Sequence, residues 1–195
     1  MITEMDTTFL NCKKVSAFPS EKQRIKHLSW RSRLSYLLKN YSSAKPSSSR
    51  RRSYRPTADE VEQWALSFEK LLSNHYGLAA FQVFLKSEFC EENIEFWLAC
   101  EDFRKITSPA KLTTRAEKIY EEFIRSESPK EINLDYQTKD AVARSLQQPT
   151  ALCFATAQKK IYILMENSSY PRFIQSELYK ELCTVAMGRV TRMRA

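Results

Sequence analysis

The residue types that most often carry chemistry are sparse and scattered in this chain. His27 and His75 lie far apart, outside any HExxH or Ser/His/Asp grouping, which removes the commonest bases and metal ligands. The five cysteines, Cys12, Cys90, Cys100, Cys153 and Cys183, form an odd set without CxxC spacing. Neither a disulfide framework nor a zinc knuckle is indicated, and a reducing cytosol fits best. Two glycines, Gly77 and Gly188, are too few for a Rossmann fingerprint or a P-loop, whose glycines let backbone amides approach phosphate. No cofactor, no metal site and no catalytic residue are expected.

Charge is the other resource, and it is unevenly placed. Residues 1–57 hold 13 Lys+Arg against 3 Asp+Glu, and residues 58–195 hold 18 against 20. A cationic arm on a nearly neutral domain suits a polyanionic surface, acidic lipid or nucleic acid, each cation near a membrane surface contributing about 1 kcal/mol. No basic recognition helix is apparent in the domain, which argues against nucleic acid. The first residues lack the long apolar run of a signal peptide, and no segment approaches the roughly 20 apolar residues that span a bilayer. A soluble or peripheral protein is expected.

The elements that must position any site read as helices. Residues 42–55 are rich in Ser and Arg and poor in apolar side chains, a linker that cannot bury enough surface to fold. The expected organisation is an arm over 1–55, a domain over 56–184 and a basic tail over 185–195. Thr57-x-x-Glu60 is a capping box, followed at helical spacing by Val61, Trp64, Ala65, Phe68, Leu71 and Leu72. Gly77 is the expected stop of that helix, with His75 meeting its free carbonyls. Leu78, Phe81, Phe84 and Leu85 predict a second helix, and Ile94, Trp97, Leu98 and Cys100 a third, with Glu91, Glu92 and Asn93 at its start, where acids favour the dipole.

Ser108-Pro109 is an N-cap and first-turn pair, and Thr114-x-x-Glu117 a further capping box before Ala116, Ile119, Tyr120, Phe123 and Ile124. Another helix carries Val142 and Leu146. Phe154, Ala157, Ile161, Leu164 and Met165 trace a long helix, and Tyr170, Phe173, Ile174, Leu178, Tyr179 and Leu182 one or two closing ones. No stretch alternates like a strand, so the domain is expected to be all-α, with antiparallel helix neighbours. Trp64, Phe68, Trp97, Phe123 and Phe154 are expected in the core, with Cys100 and Cys153 as small buried hydrophobes.

Four ordered blocks then carry a resemblance. Gly77-Leu78-Ala79-Ala80-Phe81 precedes Phe89-Cys90-Glu91-Glu92-Asn93-Ile94-Glu95-Phe96-Trp97-Leu98-Ala99-Cys100-Glu101. Lys130-Glu131-Ile132-Asn133-Leu134-Asp135 follows, and Leu164-Met165-Glu166-Asn167-Ser168-Ser169-Tyr170-Pro171-Arg172-Phe173 closes the set. Over roughly residues 60–183 the chain resembles the regulator of G-protein signalling (RGS) domain family, in particular its small, single-domain members. Cys90, Pro171 and the segment Trp30-Arg31-Ser32-Arg33-Leu34-Ser35-Tyr36 point to one subtype among these.

The resemblance implies a bundle of about nine helices that binds the switch regions of a GTP-bound or transition-state Gα subunit as a monomer. It would speed GTP hydrolysis without supplying a catalytic group. It further implies that Asn93 projects to the switch loops, its amide able both to donate and to accept. Phe89, Cys90 and Glu92 would flank it at a pocket for a switch threonine, with Leu164 as the apolar wall and Ser168, Ser169 and Arg172 on the far side. Glu131, Asn133 and Asp135 would form a second polar edge. Two positions depart from the family pattern: Ser168 replaces the usual aspartate and Cys90 the usual serine. The resemblance leaves both Gq- and Gi-class partners open, Cys90 favouring Gq, and leaves open a Gα-binding scaffold without strong acceleration.

In the arm, Trp30, Leu34, Leu37, Leu38 and Tyr41 fall on one helical stripe among Arg31, Arg33 and Lys39, the pattern of an interfacial amphipathic helix over about 28–41 on an anionic membrane. A basic coil, or a helix docking on protein, is the plain alternative. Cys12, beside Lys13 and Lys14, is a candidate lipidation site, and Ser53, after Arg50-Arg51-Arg52, a candidate phosphorylation site or part of a nuclear-localisation patch. The expected location is cytoplasmic, peripheral on the inner face of the plasma membrane, with room for a nuclear pool.

Overall fold

The computed structural model describes Ser32, Leu34 and residues 56–193, with side chains to residue 187. Among the described residues the regular elements are helices and there is no strand, as the patterning predicts. No described helix is long and apolar enough to cross a membrane.

The capping box forms at the start of α1 (Ala58–Leu66): Thr57 N donates to Glu60 Oε2 at 2.8 Å and Glu60 N to Thr57 Oγ1 at 3.2 Å. The predicted single helix does not continue to residue 77, however. Ser67 is extended (φ −154°, ψ 128°) and its hydroxyl caps α2 (Phe68–Ser73). Asn74 is extended in turn, and its Oδ1 accepts from Tyr76 N and Gly77 N, both at 2.9 Å, to open α3 (His75–Ser87). Two short polar side chains that can take the first free N–H groups of a new helix thus break the run.

Gly77 is therefore no stop and has no positive φ; it lies in the first turn of α3, and His75 is the first residue of that helix. A Cβ at Gly77 would sit 2.7 Å from the Leu71 carbonyl oxygen and 3.0 Å from both Leu71 Cδ1 and Trp64 Cε2. The glycine is there so that α3 can cross closely over α1 and α2.

Next come α4 (Glu92–Phe103), α5 (Pro109–Ile119) with a π turn over Tyr120–Ile124, α6 (Tyr136–Ser145), α7 (Ala155–Leu164) with a π turn over Met165–Ser169, α8 (Tyr170–Gln175) and α9 (Glu177–Met193). Pro109 takes the first helical position of α5 as predicted, but Thr114 is no cap. It lies mid-helix, its hydroxyl donating to Ala110 O at 3.2 Å. The domain end expected at 184 falls inside α9, whose Ala186 is buried.

Aromatic side chains fill two neighbouring parts of the core. Phe81 meets Phe68 at 5.3 Å and Phe173 at 5.5 Å between α2, α3 and α8. Phe154 meets Phe103 at 5.1 Å and Phe96 at 6.4 Å, and Phe96 meets Phe123 at 5.7 Å, between α4, α7 and the first π turn. Such ring pairs add about 0.5–1.5 kcal/mol each beyond their burial. Trp64 and Cys100 are buried, Trp97 and Cys153 partly so, as expected of core residues. Burial pushes both thiols up, that of Cys153 to about 11. The four described cysteines are free thiols.

Polar ties fix the register of the helices. Tyr170 Oη donates to Trp64 O at 2.7 Å, filling a carbonyl left free in the last turn of α1, and Tyr179 Oη donates to Val61 O at 2.8 Å. Gln158 Nε2 joins α7 to α4 through Trp97 O at 3.1 Å and Glu101 Oε1 at 2.7 Å.

Candidate functional site

The α3–α4 turn is built by a helix ending that usually requires glycine. Cys90 N donates to Leu85 O at 3.0 Å and Phe89 N to Lys86 O at 3.4 Å, the paired bonds that close a helix over a left-handed residue. Here that residue is Phe89, at φ 56°. A bulky side chain in this region costs about 1–2 kcal/mol, and Phe89 is 84% exposed, so nothing inside the protein repays it. The turn throws the ring outward and brings Cys90 back against α3.

Asn93, which the resemblance aims at the switch loops, is 8% exposed. Its Nδ2 donates to Glu92 Oε1 at 2.9 Å and to Cys90 O at 3.4 Å. Both bonds use the nitrogen, which aims the amide and leaves Oδ1 to accept from a partner. Burial raises the pKa of the Glu92 carboxyl, and the charges of Glu91 and Glu95 add to it. Burial likewise pushes the Cys90 thiol up, with the Glu92 charge second; the nearby Arg172 guanidinium and the Ser169 hydroxyl pull the other way without prevailing. The thiol is a neutral, weakly polar group at physiological pH.

Opposite this turn stand the end of α7 and its π turn. Leu164 and its neighbour Ile163 are exposed apolar side chains. In the wider π turn Ser169 is buried and Ser168 turns toward Arg172, whose Nη1 donates to Ser168 Oγ at 2.9 Å and Ser168 O at 3.0 Å. Arg172 Nε also reaches Glu88 Oε2, at 3.2 Å, across on the α3–α4 turn.

The third edge is the connection 131–135, where buried Ile132 and Leu134 alternate with exposed Glu131, Asn133 and Asp135. The two acids are already engaged. Glu131 pairs with Lys139 at 2.5 Å and accepts from Glu127 N at 2.8 Å. Asp135 pairs with Lys160 at 2.5 Å and caps α6 through Thr138 N at 3.0 Å and Thr138 Oγ1 at 2.8 Å. Lys160 holds the Asp135 carboxyl far below the usual carboxylate range, and Lys139 lowers that of Glu131. Lys130 ties this connection to α4 through Glu95 at 2.7 Å and to the first π turn through Glu122 at 2.6 Å. Burial opposes its charge, but the two carboxylates outweigh that and raise its pKa.

The three predicted segments thus lie along connected edges, joined by Glu88–Arg172, Lys130–Glu95 and Asp135–Lys160. Sequence reasoning passed over Glu88, the partner of Arg172, and Tyr136, which is 81% exposed beside Asp135. Among the described residues no three His, Cys, Asp or Glu side chains are grouped to hold a metal ion. Of the predicted membrane-binding set, Trp30, Arg31, Arg33, Leu37 and Leu38 lie outside the described residues, as do Cys12 and Ser53. Leu34 is helical and 2% exposed among the core residues, so in this conformation it is not presented to a lipid surface.

Residues 67–182 match the family model of the regulator of G protein signaling domain. The chain is 57% identical over 127 residues to regulator of G-protein signaling 5 of Sus scrofa, covering 65% of this chain and 70% of the relative. It is 49% identical over 137 residues to regulator of G-protein signaling 8 of Homo sapiens, covering 70% and 76%. The subtype to which Cys90, Pro171 and the Trp30–Tyr36 segment point, regulator of G-protein signalling 2, is corrected by these relatives, which are of types 5 and 8. A few local positions weigh little against an alignment of that length. The chain belongs to the RGS domain family.

Proposed function

We propose that this chain is a GTPase-activating protein for heterotrimeric G-protein α subunits and so ends receptor signalling. A Gα subunit carries its transition-state arginine in cis and a glutamine that orients the attacking water, so a partner needs only to hold the mobile switch loops in the reactive arrangement. The observation that supports this reading best is Asn93. Its amide is held through Nδ2 by Glu92 Oε1 and Cys90 O, its Oδ1 takes part in neither bond, and the side chain is 8% exposed. An acceptor that needs no reorganisation is what positioning catalysis requires. The chain itself contributes no catalytic group, acts as a monomer, and prefers Gq-class over Gi-class partners slightly, on the strength of Cys90.

The arm adds a peripheral site on the inner face of the plasma membrane, supported by its charge of 13 cations against 3 anions and not by Leu34, which is packed in the core. A second reading, a Gα-binding scaffold with weak acceleration, draws on Ser168, whose neutral hydroxyl is already engaged by Arg172.

Single-turnover GTP hydrolysis by Gq- and Gi-class α subunits separates these readings. Acceleration by the full chain, cut at least about tenfold by Asn93→Ala, or ~1.4 kcal/mol of barrier, is the expected result. Binding without acceleration supports the scaffold, and equal activity of wild type and Asn93→Ala refutes the role given to the amide. Ser168→Asp and Cys90→Ser should shift the Gq/Gi ratio; an unchanged ratio removes the selectivity.

A further inference from the structure

Two of the site's edges come from parts of the chain about eighty residues apart, and one guanidinium spans them. Arg172, on α8, donates Nε to Glu88 Oε2 at 3.2 Å and Nη1 to Ser168 Oγ at 2.9 Å and Ser168 O at 3.0 Å. Glu88 is the residue that closes α3: its N–H reaches Phe84 O and Leu85 O, both at 3.1 Å, immediately before the left-handed Phe89. Of the three acceptors Arg172 uses, the Glu88 carboxylate alone is charged. The pair therefore joins the strained turn that presents Phe89, Cys90 and Asn93 to the π turn that carries Ser168 and Ser169.

We propose that Glu88 is a positioning residue for the partner face. Its ion pair with Arg172 holds the α3–α4 turn at a fixed spacing from the π turn, so that both edges meet the partner already arranged. This rests on the Gα reading above. The left-handed turn stores strain with no apolar contact to secure an 84% exposed ring, so an anchor next to it has an ordering job that the core does not perform. The side chains of Glu88 and Arg172 are 40% and 49% exposed; an ion pair of that kind is worth a modest factor and is sensitive to salt. Ser168 lies on the same edge as Arg172, so its bonds to the guanidinium do not replace the link to the α3–α4 turn.

The test is single-turnover acceleration by the full chain at about 50 mM and about 1 M salt, where the screening length falls from above 10 Å to about 3 Å. Glu88→Gln should lower acceleration roughly two- to fivefold at low salt, leave the thermal midpoint in place, and converge with wild type at high salt. In an Arg172→Gln background the same change should do nothing, and in a Ser168→Asp background, where a new carboxylate on the edge of Arg172 itself competes with Glu88 for the guanidinium, its effect should shrink. Equal activity of Glu88→Gln and wild type at low salt overturns the proposal. So does an undiminished effect in the Arg172→Gln background, which would make Glu88 a direct contact. A wild-type chain that accelerates no α subunit instead overturns the Gα reading, and the positioning role with it.

Discussion

Gly77→Ala separates two accounts of one glycine. Inside a helix, alanine is favoured over glycine by about 0.5–1 kcal/mol, because glycine loses more backbone freedom on folding. On propensity alone the variant should be more stable. The structure opposes this: the new Cβ would lie 2.7 Å from the Leu71 carbonyl oxygen and 3.0 Å from Leu71 Cδ1 and Trp64 Cε2. The first obstacle is backbone, and Trp64 is 1% exposed and stacked on Tyr76 at 6.2 Å, so neither can step aside without opening the crossing of α1, α2 and α3. Overpacking of this kind costs about 1–3 kcal/mol, and a carbonyl in the way argues for the upper half. After the propensity gain is subtracted, a net loss of about 1–2 kcal/mol remains. For a domain of this size that lowers the thermal midpoint by roughly 3–10 °C. Thermal unfolding followed by far-UV circular dichroism measures it directly. A midpoint equal to or above that of wild type would show that the helices separate at no cost, and would refute the close-crossing argument.

Acid should weaken the fold through the second polar edge. The folded-state pKa values of Asp135 and Glu131 are lowered by their lysine partners, so on acidification the unfolded chain takes up protons first, and the stability these groups contribute is lost as pH falls from about 5 downward. Asp135→Asn and Glu131→Gln should flatten that acid limb of the thermal midpoint; an unchanged slope would show the pairs to be without consequence. For the arm, Arg31→Glu with Arg33→Glu should abolish co-sedimentation with vesicles containing phosphatidylserine while leaving GTPase acceleration in solution intact. Retained vesicle binding would show that these two arginines do not carry the contact, and a wild-type chain that binds no such vesicles would remove the membrane reading. Leu34 is a poor probe for that purpose, because its burial makes any substitution a test of folding as well.

Much of the helical inventory was legible in the sequence because it rests on local physics. The Thr57–Glu60 capping box, Pro109 in a first turn and the 3.6-residue periodicity of Phe81, Phe84 and Leu85 each involve groups within a turn or two of one another. The same local character hid the breaks at Ser67 and Asn74. A short polar side chain has one pattern whether it faces solvent on a helix or caps the next one, and tertiary crowding chose between them. Asn93 and its neighbours were readable through the four sequence blocks, yet its recession and the direction of its amide were not, because they depend on where the backbone of residue 90 returns after a left-handed Phe89.

The sequence by itself determined an all-helical domain, a basic arm and the family to which the domain belongs, since periodicity, charge and ordered motif blocks are properties of the chain in one dimension. Only the tertiary structure decided that Gly77 marks a helix crossing, that Asp135 pairs with Lys160, and that Glu88 meets Arg172. Each of these depends on two segments brought within a few ångströms, and linear spacing carries no record of such an approach.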